Sequence, residues 1–298
     1  MIWINGQVLD DDDARISPRD LGLLHAAGVF TTMRASQRRV WRLDQHLQRL
    51  RASCEALAIP LTYADTDLSA ACDALLDAAS LDDARLRLTV TRGVSRHEPD
   101  RGTIVEPTVL LSADPRSGYP DALYEAGMTV TLLDQWKLNP YDPQAGHKTL
   151  DYLSRFAALH HAHERGAHEA IWFNVHNYAQ CASMGNLFLV SAGKLRTAPT
   201  QAELDASESL RNHVPYPRSS VLPGTTRGFI LESSAAMGIE VELGAIDVNQ
   251  LLEADEVFLT NSMMLVMPVC RIERHEVGPG KPGELTQRLM HHVRASAG

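Results

Sequence analysis

Several protein classes are excluded by what this chain lacks. Cysteine is scarce: Cys54, Cys72, Cys181 and Cys270 are the only four in 298 residues, far apart and with no C-x-x-C pair. That fits reduced thiols of a cytoplasmic protein better than a disulfide framework. No apolar run reaches the roughly 20 residues of a membrane helix. The opening Met1-Ile2-Trp3-Ile4-Asn5-Gly6 lacks the basic start and long apolar core of a signal peptide. Positive charge is in deficit, with 28 Lys and Arg against 37 Asp and Glu and a net charge of -9. This is the wrong sign for a nucleic-acid partner. There is no G-x-G-x-x-G stretch, no internal repeat and no low-complexity linker, so a dinucleotide-binding Rossmann domain is not expected.

What is present is an ordinary globular composition, 44% hydrophobic and 22% charged, in a chain long enough for two domains. Asp10, Asp11, Asp12 and Asp13 read as a solvated turn after a first strand. A strand is expected over 28–34. Leu43, Leu47, Leu50, Cys54 and Leu57 recur at helical spacing and predict an amphipathic helix over 43–58. A helix over 67–79 and strands over 85–91 and 107–113 follow. The turn-rich stretch 114–120 places a boundary between a smaller α/β domain, 1–117, and a larger one, 118–298. In the second part, strands are expected at 127–133, 169–174, 186–190, 194–197, 239–243, 256–261 and 267–273. Helices are expected at 149–165, from Gly224, and at 283–296. The irregular succession indicates an α+β fold rather than βαβ winding.

Few residues stand out chemically. Lys148 follows a Pro/Gly loop at the mouth of the expected 149–165 helix. A helix N-terminus disfavours an ammonium charge, and Schiff-base chemistry needs the neutral amine. On position alone a surface lysine reads as well. Leu222-Pro223-Gly224-Thr225-Thr226-Arg227 feeds a helix start, either a simple cap or an anion site of free N–H groups and two hydroxyls. Thr260-Asn261-Ser262 ends an apolar strand, and Arg49 stands one turn after His46; a guanidinium there could fork onto a phosphate. His160, His161, His163 and His168 lack partners at metal-ligand spacing, so no metal is expected. An isolated Cys181 reads as buried and inert rather than nucleophilic.

Order and spacing turn these fragments into one pattern. The chain resembles the class IV aminotransferase family, which has the D-amino-acid aminotransferase-like fold. The likeness runs through Ile4-Asn5-Gly6, Ile16-Ser17-Pro18-Arg19-Asp20, Gly28-Val29-Phe30-Thr31-Thr32 and His46-Leu47-Gln48-Arg49-Leu50. It continues with Gly146-His147-Lys148-Thr149-Leu150, Asn186-Leu187-Phe188, the 222–227 segment, Ala254-Asp255-Glu256 and Thr260-Asn261-Ser262. The resemblance implies pyridoxal 5'-phosphate as cofactor, a homodimer, and the cofactor lysine, Lys148, in the larger domain. It implies phosphate contacts from Arg49, Thr225, Thr226, Asn261 and Ser262, with Tyr152 facing the cofactor.

Within the family the chain is most similar to the 4-amino-4-deoxychorismate lyases. Thr31 and Thr32 follow Phe30 where many transaminases carry glutamate, and Leu138-Asn139-Pro140 and Val266-Met267-Pro268-Val269-Cys270 are lyase-like. The resemblance implies cleavage of 4-amino-4-deoxychorismate to p-aminobenzoate and pyruvate, a step toward folate. Lys148 would be proton shuttle, Thr31 or Thr32 would help protonate the departing group, and Arg92 or Arg96 would grip a substrate carboxylate. Alternatives are a branched-chain or D-amino-acid aminotransferase, or a non-catalytic cofactor-binding homologue. One departure bears on the choice. Aligning Asn174 through Asn186 without a gap puts Cys181 where the family has a glutamate against the pyridine nitrogen, and no acid lies between Glu169 and Glu203.

Overall fold

The computed structural model describes residues 1–98 and 102–298. The chain divides into two compact units. The first contains residues Met1–Ser117 together with His147–Tyr152 and Ala297–Gly298; the second contains Gly118–Gly146 and Leu153–Ser296.

The first unit is built on β1 (Ile2–Ile4), β2 (Gln7–Leu9), α1 (Leu21–His25), β3 (Gly28–Ser36), β4 (Arg39–Val40), α2 (Leu43–Ala56), α3 (Asp65–Ala79), β5 (Ala84–Glu98) and β6 (Gly102–Pro115). Its six strands form an antiparallel sheet in the order β2-β1-β6-β5-β3-β4. The period-2 alternation of β3 decides what each residue meets. Val29, Met33 and Ala35 enter the core with Leu47, Leu50 and Cys54 of α2 and Leu68, Cys72, Leu75 and Leu76 of α3. Phe30 and Thr32 therefore lie on the opposite face. Residues 92–97, beyond the strand expected over 85–91, continue β5 past a bulge between Thr91 and Val94. Gly93 makes this possible: φ is +70°, and a Cβ would fall 1.7 Å from the Glu106 carbonyl oxygen.

The second unit runs α4 (Asp121–Ala126), β7 (Met128–Leu138), α5 (Leu153–Glu164), β8 (Glu169–Asn174), β9 (Ala179–Ala182), β10 (Asn186–Ser191) and β11 (Lys194–Thr197). It continues with α6 (Gln201–Ala206), α7 (Glu208–His213), α8 (Thr225–Ser234), β12 (Val241–Leu243), α9 (Val248–Leu252), β13 (Glu256–Asn261), β14 (Leu265–Ile272), β15 (His275–Glu276) and α10 (Glu284–Ala297). The sheet path is β12-β11-β10-β13-β14-β7-β8-β9, and β9 also pairs with β10. That last pairing closes β10, β13, β14, β7, β8 and β9 into a barrel, which removes exposed edges. β7 lies parallel to both β14 and β8, and the other ring pairs are antiparallel. Met128, Val130, Ile171, Leu187, Leu259 and Met267 belong to its main apolar core.

Two expectations about Lys148 change. The helix starts at Leu153, not 149, so the amine does not owe its character to a helix N-terminus. Residues 148–150 pair with β3 instead: Phe30 N–H donates to the Lys148 carbonyl, Leu150 N–H donates to the Gly28 carbonyl, each at 2.9 Å, and Thr149 bridges Val29. For the same reason the lysine segment packs with the first unit rather than with the rest of 118–298.

Candidate active site

In the first unit, chemistry gathers around Phe30. Lys148 Nζ donates to Tyr152 Oη at 2.7 Å and sits 4.6 Å from the Phe30 ring centroid. Tyr152 meets Phe30 edge-on at 5.1 Å. The amine is thus held between the Phe30 ring and Tyr152, whose hydroxyl accepts from it. The preceding residue is anchored by His147 Nδ1 against Ser53 Oγ at 3.0 Å. Arg87, directly across from Thr32 in the sheet, lays its guanidinium 3.5 Å over the other part of this cluster, the Phe30 ring. Its Nε donates to Thr89 Oγ1 at 3.3 Å. Burial pulls the Arg87 pKa below its ordinary value. Sequence reading overlooked Arg87. The signal was available in the alternation of β5, which carries Arg87 and Thr89 on the side away from the buried Leu86, Leu88 and Val90. Arg92 and Arg96, the expected carboxylate grips, turn elsewhere: Arg92 Nη1 donates to the Ala58 carbonyl at 3.3 Å, and Arg96 pairs with Glu106.

Arg49 is tied to Thr31. Its Nη2 donates to Thr31 Oγ1 at 2.8 Å, and the same oxygen lies 2.7 Å from His46 Nδ1. A guanidinium only donates, so Thr31 Oγ1 accepts from Arg49, and its remaining capacity goes to His46, with the direction of that bond set by the imidazole tautomer. The His46 pKa is held well below 6.5 by burial first and then by the charges of Arg49, Lys148 and Arg42. Burial also brings Arg49 down to about 10. Thr31 is fully enclosed and its hydroxyl is committed at both ends. Thr32, on the Phe30 side, is the threonine left facing the amine's side of the sheet.

In the second unit, α8 begins at Thr225 behind an extended Gly224. Thr225 Oγ1 is 3.4 Å from Ser262 Oγ. The Thr226 hydroxyl is buried with no hydrogen-bond partner among the described residues. A buried, unsatisfied hydroxyl in the first turn of a helix fits a phosphate oxygen. Gly224 is required by space: a Cβ there would stand 2.0 Å from Asn186 Oδ1, while Asn186 Nδ2 holds the Leu222 carbonyl at 2.9 Å. Arg227 turns away and forks onto Glu203 at 2.7 and 2.8 Å.

Asn261 was expected at the phosphate, but its side chain builds the turn. Its Oδ1 accepts from Met263 and Met264 N–H at 2.8 Å, and its Nδ2 donates to the Met184 carbonyl at 2.9 Å. It presents Ser262 rather than binding itself. Buried Glu169 supports the same corner by accepting from the backbone N–H groups of Ala170, Ser183 and Met184. Cys181 is buried, pairs with Asn186 across β9 and β10, and receives a guanidinium: Arg155 Nη1 reaches its Sγ at 3.6 Å.

Comparison with known proteins places this architecture. The model of the amino-transferase class IV family matches residues 28–272. A putative branched-chain-amino-acid aminotransferase of Methanocaldococcus jannaschii is 29% identical over 97% of this chain and 93% of its own. The crystal structure of the Escherichia coli branched-chain amino acid aminotransferase superposes with a TM-score of 0.87 at 25% identity, covering 99% of this chain and 93% of that one. The 4-amino-4-deoxychorismate lyase structure from Pseudomonas aeruginosa superposes at 0.79 with 28% identity, covering 99% and 98%. The family match spans most of the sheet of each unit and includes Arg49, Lys148, Thr225 and Ser262, so the chain belongs to the class IV aminotransferases, a family of pyridoxal 5'-phosphate enzymes.

Proposed function

We propose that this chain is a lyase converting 4-amino-4-deoxychorismate to p-aminobenzoate and pyruvate. In this reading Lys148 holds pyridoxal phosphate through its Nζ. Arg49, Thr225, Thr226 and Ser262 bind the phosphate, and Cys181 stands toward the ring nitrogen. The cofactor, when bound, supplies an electron-withdrawing ring joined to the substrate's amino group. With the cofactor bound, Lys148, steadied by Tyr152 Oη, would take the ring proton of the substrate. Arg87 and Phe30 receive a substrate carboxylate and its ring on the same face. Thr32 delivers the proton to the departing enolpyruvyl group.

The observation that carries the choice is the residue at 181. A thiol is a weak donor and supplies no negative charge, so a protonated ring nitrogen has no carboxylate to hold it. Transamination needs strong electron withdrawal in both half-reactions. The lyase reaction is pulled forward by forming an aromatic product. The branched-chain aminotransferase reading has its own support in the relatives from Methanocaldococcus jannaschii and Escherichia coli. Incubating pure protein with 4-amino-4-deoxychorismate should give p-aminobenzoate and pyruvate in equal amounts. Turnover of leucine or valine with 2-oxoglutarate, and none of the aminodeoxychorismate, would refute the lyase. Borohydride reduction followed by peptide mapping should put a pyridoxyl group on Lys148.

We infer a homodimer as well. Leu153 and Phe156, one turn apart on α5, are 79% and 58% exposed, and Leu23 on α1 is 69% exposed. Apolar side chains of this size in open water fit surfaces that a second copy covers. Sedimentation giving a mass near 32.8 kDa would contradict it.

A further inference from the structure

A cation occupies the neighbourhood in which the sequence alignment expected an acid. Arg155, near the start of α5, sends one nitrogen, Nη1, to three acceptors: the carbonyl oxygens of Ala182 and Ser183, each at 3.1 Å, and Cys181 Sγ at 3.6 Å. Its guanidinium lies 5.7 Å from the Trp172 ring centroid, and Trp172 Nε1 donates to Ser183 Oγ at 3.1 Å. The turn that takes these bonds is itself fixed, because Glu169 accepts from the Ser183 and Met184 N–H groups. Cys181 and Trp172 are both buried. The guanidinium is therefore docked on the end of β9 by the three contacts of Nη1 and by the Trp172 ring.

We propose that Arg155 is a positioning residue for the cofactor's electronic state: its fixed charge beside Cys181 would keep the pyridine nitrogen of the bound cofactor unprotonated. This rests on the reading in which Lys148 holds pyridoxal phosphate and Cys181 stands toward that nitrogen. The chemistry of the pair gives the sign. Arginine stays charged at any working pH and has donors only. A positive charge nearby disfavours a second one, so it lowers the proton affinity of the ring. The neighbouring thiol offers no compensating anion. An unprotonated ring withdraws electrons weakly. The substrates that suit such a site are amines whose reaction is driven by its own product, through aromatisation or loss of a stable fragment. Plain amino acids, which depend on the ring alone, are poorly served. The resulting substrate class is a cyclic, unsaturated amine one elimination away from an arene.

The test uses holoprotein loaded with pyridoxal phosphate carrying 15N in the ring. The 15N chemical shift at neutral pH reports directly whether the ring nitrogen bears a proton, with no turnover involved. Wild type and Arg155→Lys should show an unprotonated nitrogen. Arg155→Gln should show a protonated fraction that wild type lacks, and the double variant Arg155→Gln, Cys181→Glu a fully protonated nitrogen. A protonated nitrogen in wild type overturns the proposal, as does a shift that is the same in wild type and the double variant. If Arg155→Gln and wild type give the same shift, the missing acid at 181 alone sets the ring and the role of Arg155 is overturned. Borohydride mapping of the same samples separates the two levels. Absence of a pyridoxyl adduct on Lys148 overturns the cofactor reading and this proposal together, whereas an adduct with a protonated ring overturns only the role of Arg155.

Discussion

Replacing Thr31 by valine separates two roles for one hydroxyl. The side chain has no exposure, and valine has nearly its shape, so the change removes an oxygen and little else. Two bonds go with it: Arg49 Nη2 to Oγ1 at 2.8 Å, and Oγ1 to His46 Nδ1 at 2.7 Å. The first involves a charged donor and contributes about 1.5–3 kcal/mol; the second, between neutral groups, contributes about 0.5–1.5 kcal/mol. The expected loss of stability is about 2–4 kcal/mol, read as the urea midpoint of the apoprotein at constant slope. The released guanidinium is no longer aimed. The Kd for pyridoxal phosphate should rise roughly 10-fold or more, each factor of ten being about 1.4 kcal/mol. The Kd for pyridoxal, which has no phosphate, should not move. Equilibrium dialysis with both forms makes the comparison. If Thr31→Val binds both forms as wild type does, keeps its midpoint and loses turnover at least about 100-fold, the hydroxyl is a proton donor and the hydrogen-bond reasoning is refuted.

Further outcomes follow from other contacts. Arg87→Gln should raise KM for a substrate carboxylate by about 10-fold or more, from loss of a charge-assisted bond, with cofactor affinity unchanged by titration; an unchanged KM removes Arg87 from the substrate. Gly224→Ala drives a Cβ to within 2.0 Å of Asn186 Oδ1 and should cost about 1–3 kcal/mol as overpacking, visible in thermal unfolding and in weaker phosphate binding. Glu203 gives a pH signature. Burial, the largest single influence, pulls its pKa up, but the bond and charge of Arg227 and the bonds from Thr200 outweigh it, and the net pKa lies below 4.5. A depressed carboxylate contributes stability above its unfolded value and loses it as pH falls through the folded one. Wild type should therefore exceed Glu203→Gln by about 2–4 kcal/mol near pH 7, with the gap closing below about pH 4.5; a pH-independent gap in urea midpoints would contradict the ion-pair account.

The features legible in the amino-acid order are those that short-range periodicity records. The spacing of Leu43, Leu47, Leu50 and Cys54 is a property of neighbouring turns, and α2 forms at Leu43–Ala56 with Leu47, Leu50 and Cys54 buried and Leu43 partly so. Strands over 169–174, 186–190 and 194–197 were legible in the same way. So was the ordered set of motifs that identified the family. Residue roles were less legible. Lys148 reads as the start of a helix in its local sequence, but its segment pairs with Phe30 and Gly28, more than a hundred residues away, and tertiary pairing overrides local propensity. Thr31 and Thr32 are adjacent letters with equal claims. Only the side of the sheet each occupies commits one to Arg49 and His46 and leaves the other beside Phe30.

The barrel could not be read from the chain at all, since the β9–β10 contact that closes it and the parallel β7–β14 pair are questions of which distant backbones meet. The same holds for Arg155. The missing acid at 181 was visible in one dimension, but the guanidinium brought to Cys181 from 26 positions earlier was not. A side chain's chemistry is written in its residue type. What that chemistry acts on depends on neighbours that only folding supplies.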